Sequence, residues 1–368
     1  MTISSSCVMA EEIQDKMPAE IQQIAGEYFG DGKPIVGGVI GIVDGPKKWA
    51  CGFGQITLQS SYSPENTPDI DTVYEIASLT KTFTGTLLGE MAARHEVAID
   101  DPLDKYVPKE VAVPDWHGQK ITLEDLASHC SGIPRLPANF WEIADKSPDN
   151  PYQNYTTAEI EKFLSGYTLE VAPKTRYEYS NVGASILGHA LELKTGKIYE
   201  TLVQERIGKP LGLRNTSQTL TDDMRARLAP PYDEKKNLTS NWDLPGFAGG
   251  GGLRSSMRDM LRYAQASACF FDAFPELKAD PDHPLILGIR EAERLHFTDE
   301  RQNIKMGLGW HISGKGEVKH NGQTGGYHSY IVVSPEKHRA VVVLTNTAVD
   351  VSDQMAKRIW EQLETSKK

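Results

Sequence analysis

The segment "EIASLTKTFTG", residues 75–85, places a serine and a lysine three positions apart at the mouth of an apolar, helix-like run. Residues i and i+3 of a helix share a face, so Ser78 and Lys81 project into the same small volume. One reading is a helix-capping serine followed by an exposed lysine; the other is a nucleophile beside the base that activates it. A serine hydroxyl is a weak nucleophile without an adjacent base. An ammonium becomes a base only where burial or nearby cations lower its pKa. The flanking "IA" and "FTGTLL" are apolar, which favours that shift. At a helix start the Ser78 N–H also lacks an intrahelical partner and points where an oxyanion can sit.

The pattern S-x-x-K is expected about once by chance in a chain of this composition, so its context has to decide. A second copy, Ser334 to Lys337, follows a strand in a proline-containing turn with no apolar helix behind it, and reads as a turn. Outward from Ser78 the chain divides. Residues 11–30 show helical periodicity closing at Gly30, and "GGVIGIVDGPKKWACGFG" reads as a hairpin turning at "DGPK". From about 82 to 245 the strand signal fades and helical segments are joined by proline-rich loops. After "GFAGGGGLRSSMRDMLRYAQ", where Ser256 and Asp259 resemble a capping box, strands return beyond residue 300 and a helix ends the chain. The expected fold class is α+β, an antiparallel sheet flanked by helices with an all-helical insertion. Residues 11–75 and 250–368 would form the split α/β domain and 76–249 the mostly helical one, with the active site at their interface.

The chain has 368 residues, enough for one large or two interlocked domains, and a net charge of −11 that argues against nucleic acid or an anionic membrane surface as partner. No apolar run approaches the ~18–20 residues that span a bilayer. Cys7, Cys51, Cys130 and Cys269 have neither C-x-x-C pairing nor zinc-ligand spacing and read as free small hydrophobes, with one or two disulfides as the alternative. Residues 1–10 carry Val8 and Ala10 at the −3 and −1 positions of a signal-peptidase cut before Glu11, without the basic and apolar regions of a full leader. A leader remnant implies a periplasmic or secreted protein; an ordinary start leaves the cytoplasm open.

A second element lies about 100 residues on. Tyr179-Ser180-Asn181 directly precedes an amphipathic helix with Val182, Ile186, Ala190 and Leu193 on its buried stripe. Tyr179 and Asn181 can face one side with Ser180 turned away. A tyrosine beside cations is expected to ionise below its free pKa of about 10 and to relay the serine proton. Asn181 could hold Lys81 or a substrate carbonyl. Tyr152-Gln153-Asn154 repeats the Y-x-N pattern in a polar loop and reads as solvated.

S-x-x-K at a helix start, then Y-S-N, then His320-Asn321-Gly322 on a late strand followed by "QTGGYHSY", resembles the penicillin-recognising serine hydrolases. More narrowly it is similar to the branch holding class C β-lactamases, D-alanyl-D-alanine carboxypeptidases and related esterases. A literal K-T-G at Lys194–Gly196 is set aside, because it ends the helix after Asn181, with Gly196 suited to the C-cap and Lys194 to the C-terminal dipole. The resemblance covers nearly the whole chain, including "DDPLDKYVP", "ITLEDLASHCSGIP", "GGGGLRSSMRDM" and "GLGW". It implies a β-lactamase/transpeptidase-like fold and acyl transfer through Ser78 with Lys81 and Tyr179. Asn181, His320 and Gly322 would bind substrate, and the Gln323 backbone N–H would join that of Ser78 as oxyanion donor. It implies no metal or cofactor, a monomer, and a peptidoglycan stem peptide, β-lactam or small ester as substrate, with a catalytically inactive binding protein as the remote alternative.

His320 stands where class C β-lactamases usually carry lysine. A histidine is mostly neutral at pH 7 and attracts a substrate carboxylate less firmly, which tilts the expectation from an efficient β-lactamase toward a D-Ala-D-Ala peptidase. Arg135 could supply the missing cation or simply be a surface arginine. His129 reads as a structural helix-end residue, and one of His328 and Tyr330 is expected to line the cleft without a part in catalysis. On this charge argument His320→Lys raises activity toward carboxylate-bearing substrates; an unchanged or lower kcat/KM toward them would contradict it.

Overall fold

The computed structural model describes residues 13–365 apart from Asp15 and Tyr62. The candidate leader remnant and Cys7 lie outside the described residues, and Cys51, Cys130 and Cys269 are free thiols.

The apolar run at residues 37–44 becomes β1 (Gly37–Asp44), paired with β2 (Lys47–Gly54) in the expected hairpin. The late strands are β3 (Phe297–Asp299), β4 (Ile304–Met306), β5 (His311–Ile312), β6 (Val318–Gln323), β7 (His328–Ser334) and β8 (Arg339–Thr345). Together they form one antiparallel sheet in the order β2-β1-β8-β7-β6-β5-β4-β3. The two ends of the chain meet where β1 pairs with β8, from Gly38 opposite Thr345 to Asp44 opposite Arg339. The sheet is covered on both faces, which is why β1 reads as a continuous apolar run rather than an alternating one.

On the outer face Ile40, Ile42, Val341 and Val343 pack against α1 (Ala19–Gly26) and the terminal helix α6 (Val351–Thr365), through Ile21, Ala25, Met355, Ile359 and Trp360. Each fully buried aliphatic side chain there contributes roughly 1.5–3 kcal/mol. On the inner face Val39, Val43, Val342 and Leu344 join the larger core built on α2 (Thr80–Ala93), α3 (Asn181–Thr195), α4 (Met257–Ser267) and α5 (Pro284–Glu293). Every residue of α2 from Thr80 to Met91 is buried, so the helix that follows Ser78 has no solvent face.

Helix α1 is shorter than the periodicity of residues 11–30 suggests. It starts after Pro18 and closes at Gly26, while Gly30 sits in the following loop at φ +115°. Proline lacks an N–H and is tolerated only at a helix start, so it sets the boundary. The expected strand at "MGLGWHIS" is split into β4 and β5 by a turn through Gly309 at φ +72°. Ser256 caps α4 by accepting from the Asp259 N–H, and Gly196 ends α3 at φ +68°, which settles the literal K-T-G as a C-cap.

Helix α2 lies so close to the segment before β5 that a Cβ on Gly85 would stand 1.9 Å from the Leu308 carbonyl oxygen. Both sides of that contact are backbone and cannot swing aside. Gly85→Ala is expected to destabilise the fold by about 1–3 kcal/mol in denaturant unfolding; unaltered stability would contradict this packing.

Candidate active site

The chain reaches Ser78 from a short strand, Val73–Glu75, paired with Arg254–Ser256. It then turns through Ala77 at φ +47°, a left-handed backbone that costs a non-glycine residue of order 1–3 kcal/mol. A single 3-10 turn, Ala77–Leu79, leads into α2. The turn is pinned from both sides: the Ile76 N–H donates to Leu253 O at 3.1 Å, the Ser329 hydroxyl to Ile76 O at 2.8 Å, and the Leu253 N–H to the Thr80 hydroxyl at 3.1 Å. Strand β6 presses on it so closely that a Cβ on Gly322 would lie 2.5 Å from Ile76 O and 2.7 Å from Ser78 N. Gly322 therefore allows β6 to bring the Gln323 backbone beside the Ser78 N–H along one narrow pocket.

Lys81 is 1% exposed. Its Nζ lies 3.0 Å from Ser78 Oγ and 2.9 Å from Asn181 Oδ1, and it also bonds the Gly250 carbonyl. Burial first, and the Arg135 charge second, hold its pKa well below the ordinary lysine value. Three acceptors satisfy the ammonium. The neutral amine can donate to Asn181 and Gly250 while its lone pair accepts from the Ser78 hydroxyl, so the same arrangement serves the base form.

The Tyr179–Asn181 loop is shaped by the segment from His129 to Arg135. The Ser180 hydroxyl donates to Pro134 O at 2.6 Å and accepts from the Gly183 N–H at 2.7 Å, capping α3, so it does face away from Ser78. The Asn181 N–H donates to Arg135 O at 3.0 Å. The half-buried Tyr179 lies with its ring centroid 4.9 Å from Lys81 Nζ, and its phenol is near enough to Ser78 for that hydroxyl to favour the phenolate. Its phenol pKa is pushed up to about 12, chiefly by burial, which outweighs the lowering by Ser78 and Arg135. The sequence expectation of an easily ionised tyrosine is thus corrected: the cations are near, but desolvation of the phenolate is the larger effect.

His320 is buried and faces the cleft side of β6, with Tyr179 at 6.0 Å and His311 at 5.4 Å between ring centroids. Burial, then His311 and Lys81, hold it well below the ordinary histidine range, so it is neutral at pH 7. Its Nδ1–H donates to Asn321 O at 2.5 Å. Arg135 is exposed, lines the cleft and holds its guanidinium 5.0 Å from the Tyr179 ring centroid. The cleft measures about 650 Å³; Ser78, Tyr179, Asn181, Gly322 and Gln323 all line it, and His328 touches it at the start of β7, although its ring shares the outer face of the sheet with Tyr330 and bonds Ser352 of α6.

Several lining residues carried no sequence signal. Tyr152, read as part of a solvated loop, is buried: its ring lies 4.9 Å from Phe247 and 5.3 Å from Trp242, while Gln153 and Asn154 are exposed as expected. Local polarity hid a ring that packs against Phe140 and against two aromatic rings about 90 residues away. Trp242 is held by its N–H to Glu75 at 2.9 Å, and Glu75 is anchored in turn by Arg254. His311 on β5 and the Gly250 carbonyl complete the set; only the glycine run around Gly250 hinted at close backbone approach. The decoy at Ser334–Lys337 is a turn, with Lys337 paired to Glu364 at the surface.

A fold with a central antiparallel sheet and this serine–lysine pair at its inner face has clear relatives. The β-lactamase family model matches residues 23–364, and the chain belongs to that family. D-alanyl-D-alanine-carboxypeptidase/endopeptidase AmpH of Escherichia coli K12 is 30% identical over 330 residues, 87% of this chain and 81% of that protein. A β-lactamase of the same organism is 26% identical over 75% of each chain. Among solved structures, a β-lactamase/D-alanine carboxypeptidase from Yersinia pestis, crystallised with citrate, superposes with a TM-score of 0.73 at 25% identity, covering 93% of this chain and 98% of that one. A class C β-lactamase from Rhodobacter sphaeroides gives 0.73 at 20% identity over 92% and 95%. The fold is β-lactamase/transpeptidase-like, and the protein is a serine hydrolase. Among the described residues no helix is long and apolar enough to cross a membrane.

Gly322→Ala tests the spacing at Ser78. Pushing β6 from the Ser78 turn by about 1 Å is expected to lower kcat/KM by up to ~10²-fold, read with any turned-over ester or β-lactam. Full activity would contradict the close approach.

Proposed function

We propose that this chain is a D-alanyl-D-alanine carboxypeptidase or endopeptidase of the penicillin-binding type, working through an acyl-enzyme on Ser78 at the seam between the sheet lobe and the helical lobe. The observation that carries the reading is Lys81. It is buried, bonded to Ser78, Asn181 and Gly250, and among the described residues no carboxylate pairs with it. A structural lysine in such a place would be expected to have a counter-ion.

Each residue then has a role. Ser78 Oγ attacks the substrate carbonyl carbon as its proton passes to the neutral Lys81 amine. The N–H groups of Ser78 and Gln323 hold the tetrahedral oxyanion. The proton passes from the Lys81 ammonium through the Tyr179 phenol to the leaving nitrogen as the C–N bond breaks. Tyr179 relays it as a neutral phenol, consistent with its raised pKa. Water, activated by the same pair, adds to the acyl-enzyme and releases the acid. Asn181 orients Lys81 and the substrate amide. Arg135 lines the cleft and supplies the cation at the leaving-group end, which the neutral, buried His320 does not. The D-Ala-D-Ala substrate of this reading is supported by the activity in the name of the AmpH relative, and such a substrate fits a periplasmic or secreted protein. The neutrality of His320 also favours a second reading, an esterase with uncharged substrates on the same machinery.

Turnover of a D-Ala-D-Ala peptide, a β-lactam and a short-chain ester separates these readings, and Ser78→Ala should abolish both turnover and labelling by a β-lactam probe. The pH dependence follows from Lys81. Its depressed pKa means that kcat/KM rises with pH as the ammonium loses its proton and levels off well below the ordinary lysine value of about 10.4. A rise continuing to that value would contradict Lys81 as the base.

A further inference from the structure

We propose that His129 is a positioning residue for acyl transfer, holding the Tyr179 phenol at Ser78 by gripping the chain on both sides of it. The inference rests on the role given to Tyr179 above. His129 follows a short helix, Leu123–Ala127, and sits at φ +57° in the left-handed region. A non-glycine residue stays there only when its surroundings fix it. In that conformation its carbonyl accepts the Glu178 N–H at 2.8 Å and its Nδ1 accepts the Ser180 N–H at 3.2 Å. One residue thus bonds the chain immediately before and immediately after Tyr179. Its ring, 1% exposed, also packs against the phenol ring at 4.6 Å between centroids.

The grip depends on chemistry as well as shape. Accepting the Ser180 N–H fixes the tautomer with the proton on Nε2, which has no hydrogen-bond partner among the described residues. A doubly protonated ring would set one N–H against another and lose the bond. The titratable groups facing His129 are Tyr177 and Tyr179 from the loop, His311 from β5, His320 from β6, Lys81 from α2 and Arg135 from the segment that follows it. None of these is a carboxylate. Burial, followed by Lys81, His311, His320 and Arg135, keeps the imidazole well below its ordinary range, so the acceptor is present at neutral pH.

A double-mutant cycle tests the proposal on the full chain, with a chromogenic β-lactam or short-chain ester as substrate. His129→Ala is expected to lower kcat by ~10- to 100-fold with KM nearly unchanged, the scale of a ~1 Å misplacement. In a Tyr179→Phe background the same change should cost less than about 3-fold, because the group it positions is gone. His129→Asn offers an acceptor at the place of Nδ1 and should stay within about 3-fold of the parent, whereas His129→Gln, whose oxygen lies one bond further out, should behave like the alanine variant. If His129→Ala does not fold, the Asn and Gln pair decides the matter. Equal activity of that pair, or a full loss from His129→Ala on top of Tyr179→Phe, would overturn the proposal while leaving the assignment of Tyr179 in place. A fully active Tyr179→Phe would remove that assignment and the inference with it.

Discussion

A lysine without a counter-ion, taken out of water, is the constraint around which the site is arranged. Burying an ammonium is unfavourable unless it is paired or gives up its proton. Here the partners of Lys81 are a hydroxyl, an amide oxygen and a backbone carbonyl, all neutral. That environment favours the amine over the ammonium and leaves its lone pair facing the Ser78 hydroxyl. The rest of the architecture supplies the burial: α2 has no exposed face, the glycine run brings the Gly250 carbonyl to the amine, and β6 closes over the serine through Gly322.

The same desolvation acts on Tyr179 in the opposite sense of charge. It raises the phenol and lowers the amine, so the two groups hold different protonation states at one pH, the condition for passing a proton rather than competing for it. His320 and His311 are neutralised likewise; His311 is brought down to about 4. In the described cleft Arg135 is the exposed cation nearest to Tyr179, stacked on its ring rather than paired with an acid. The cleft therefore combines one accessible cation, Arg135, and one exposed carboxylate, Asp350, with a set of neutral donors and acceptors.

Much of this was legible in the sequence. The hairpin, the late strands, the helix after Asn181 and the spacing of Ser78 and Lys81 follow from short-range periodicity and helix geometry, which one chain displays by itself. The resemblance added His320, Gly322 and Gln323. What escaped depends on distant packing. Tyr152 looked solvated because its neighbours in sequence are polar, while its ring partners Trp242 and Phe247 come from the far end of the helical region. His129 looked like an ordinary helix end because its left-handed backbone and its two bonds to the Tyr179 loop span about 50 residues. The direction of the Tyr179 shift was misread because cations are visible in a sequence and burial is not. Pro18, read as part of one long helix, marks its start.

The direct test of the account is the ionisation of Lys81 itself, followed by heteronuclear NMR of the side chain in the free enzyme with Lys81→Arg to assign the signal. The account predicts titration well below the ordinary lysine value of about 10.4. Titration at or above that value would mean a permanently charged ammonium, and the base of the reaction would have to be sought elsewhere.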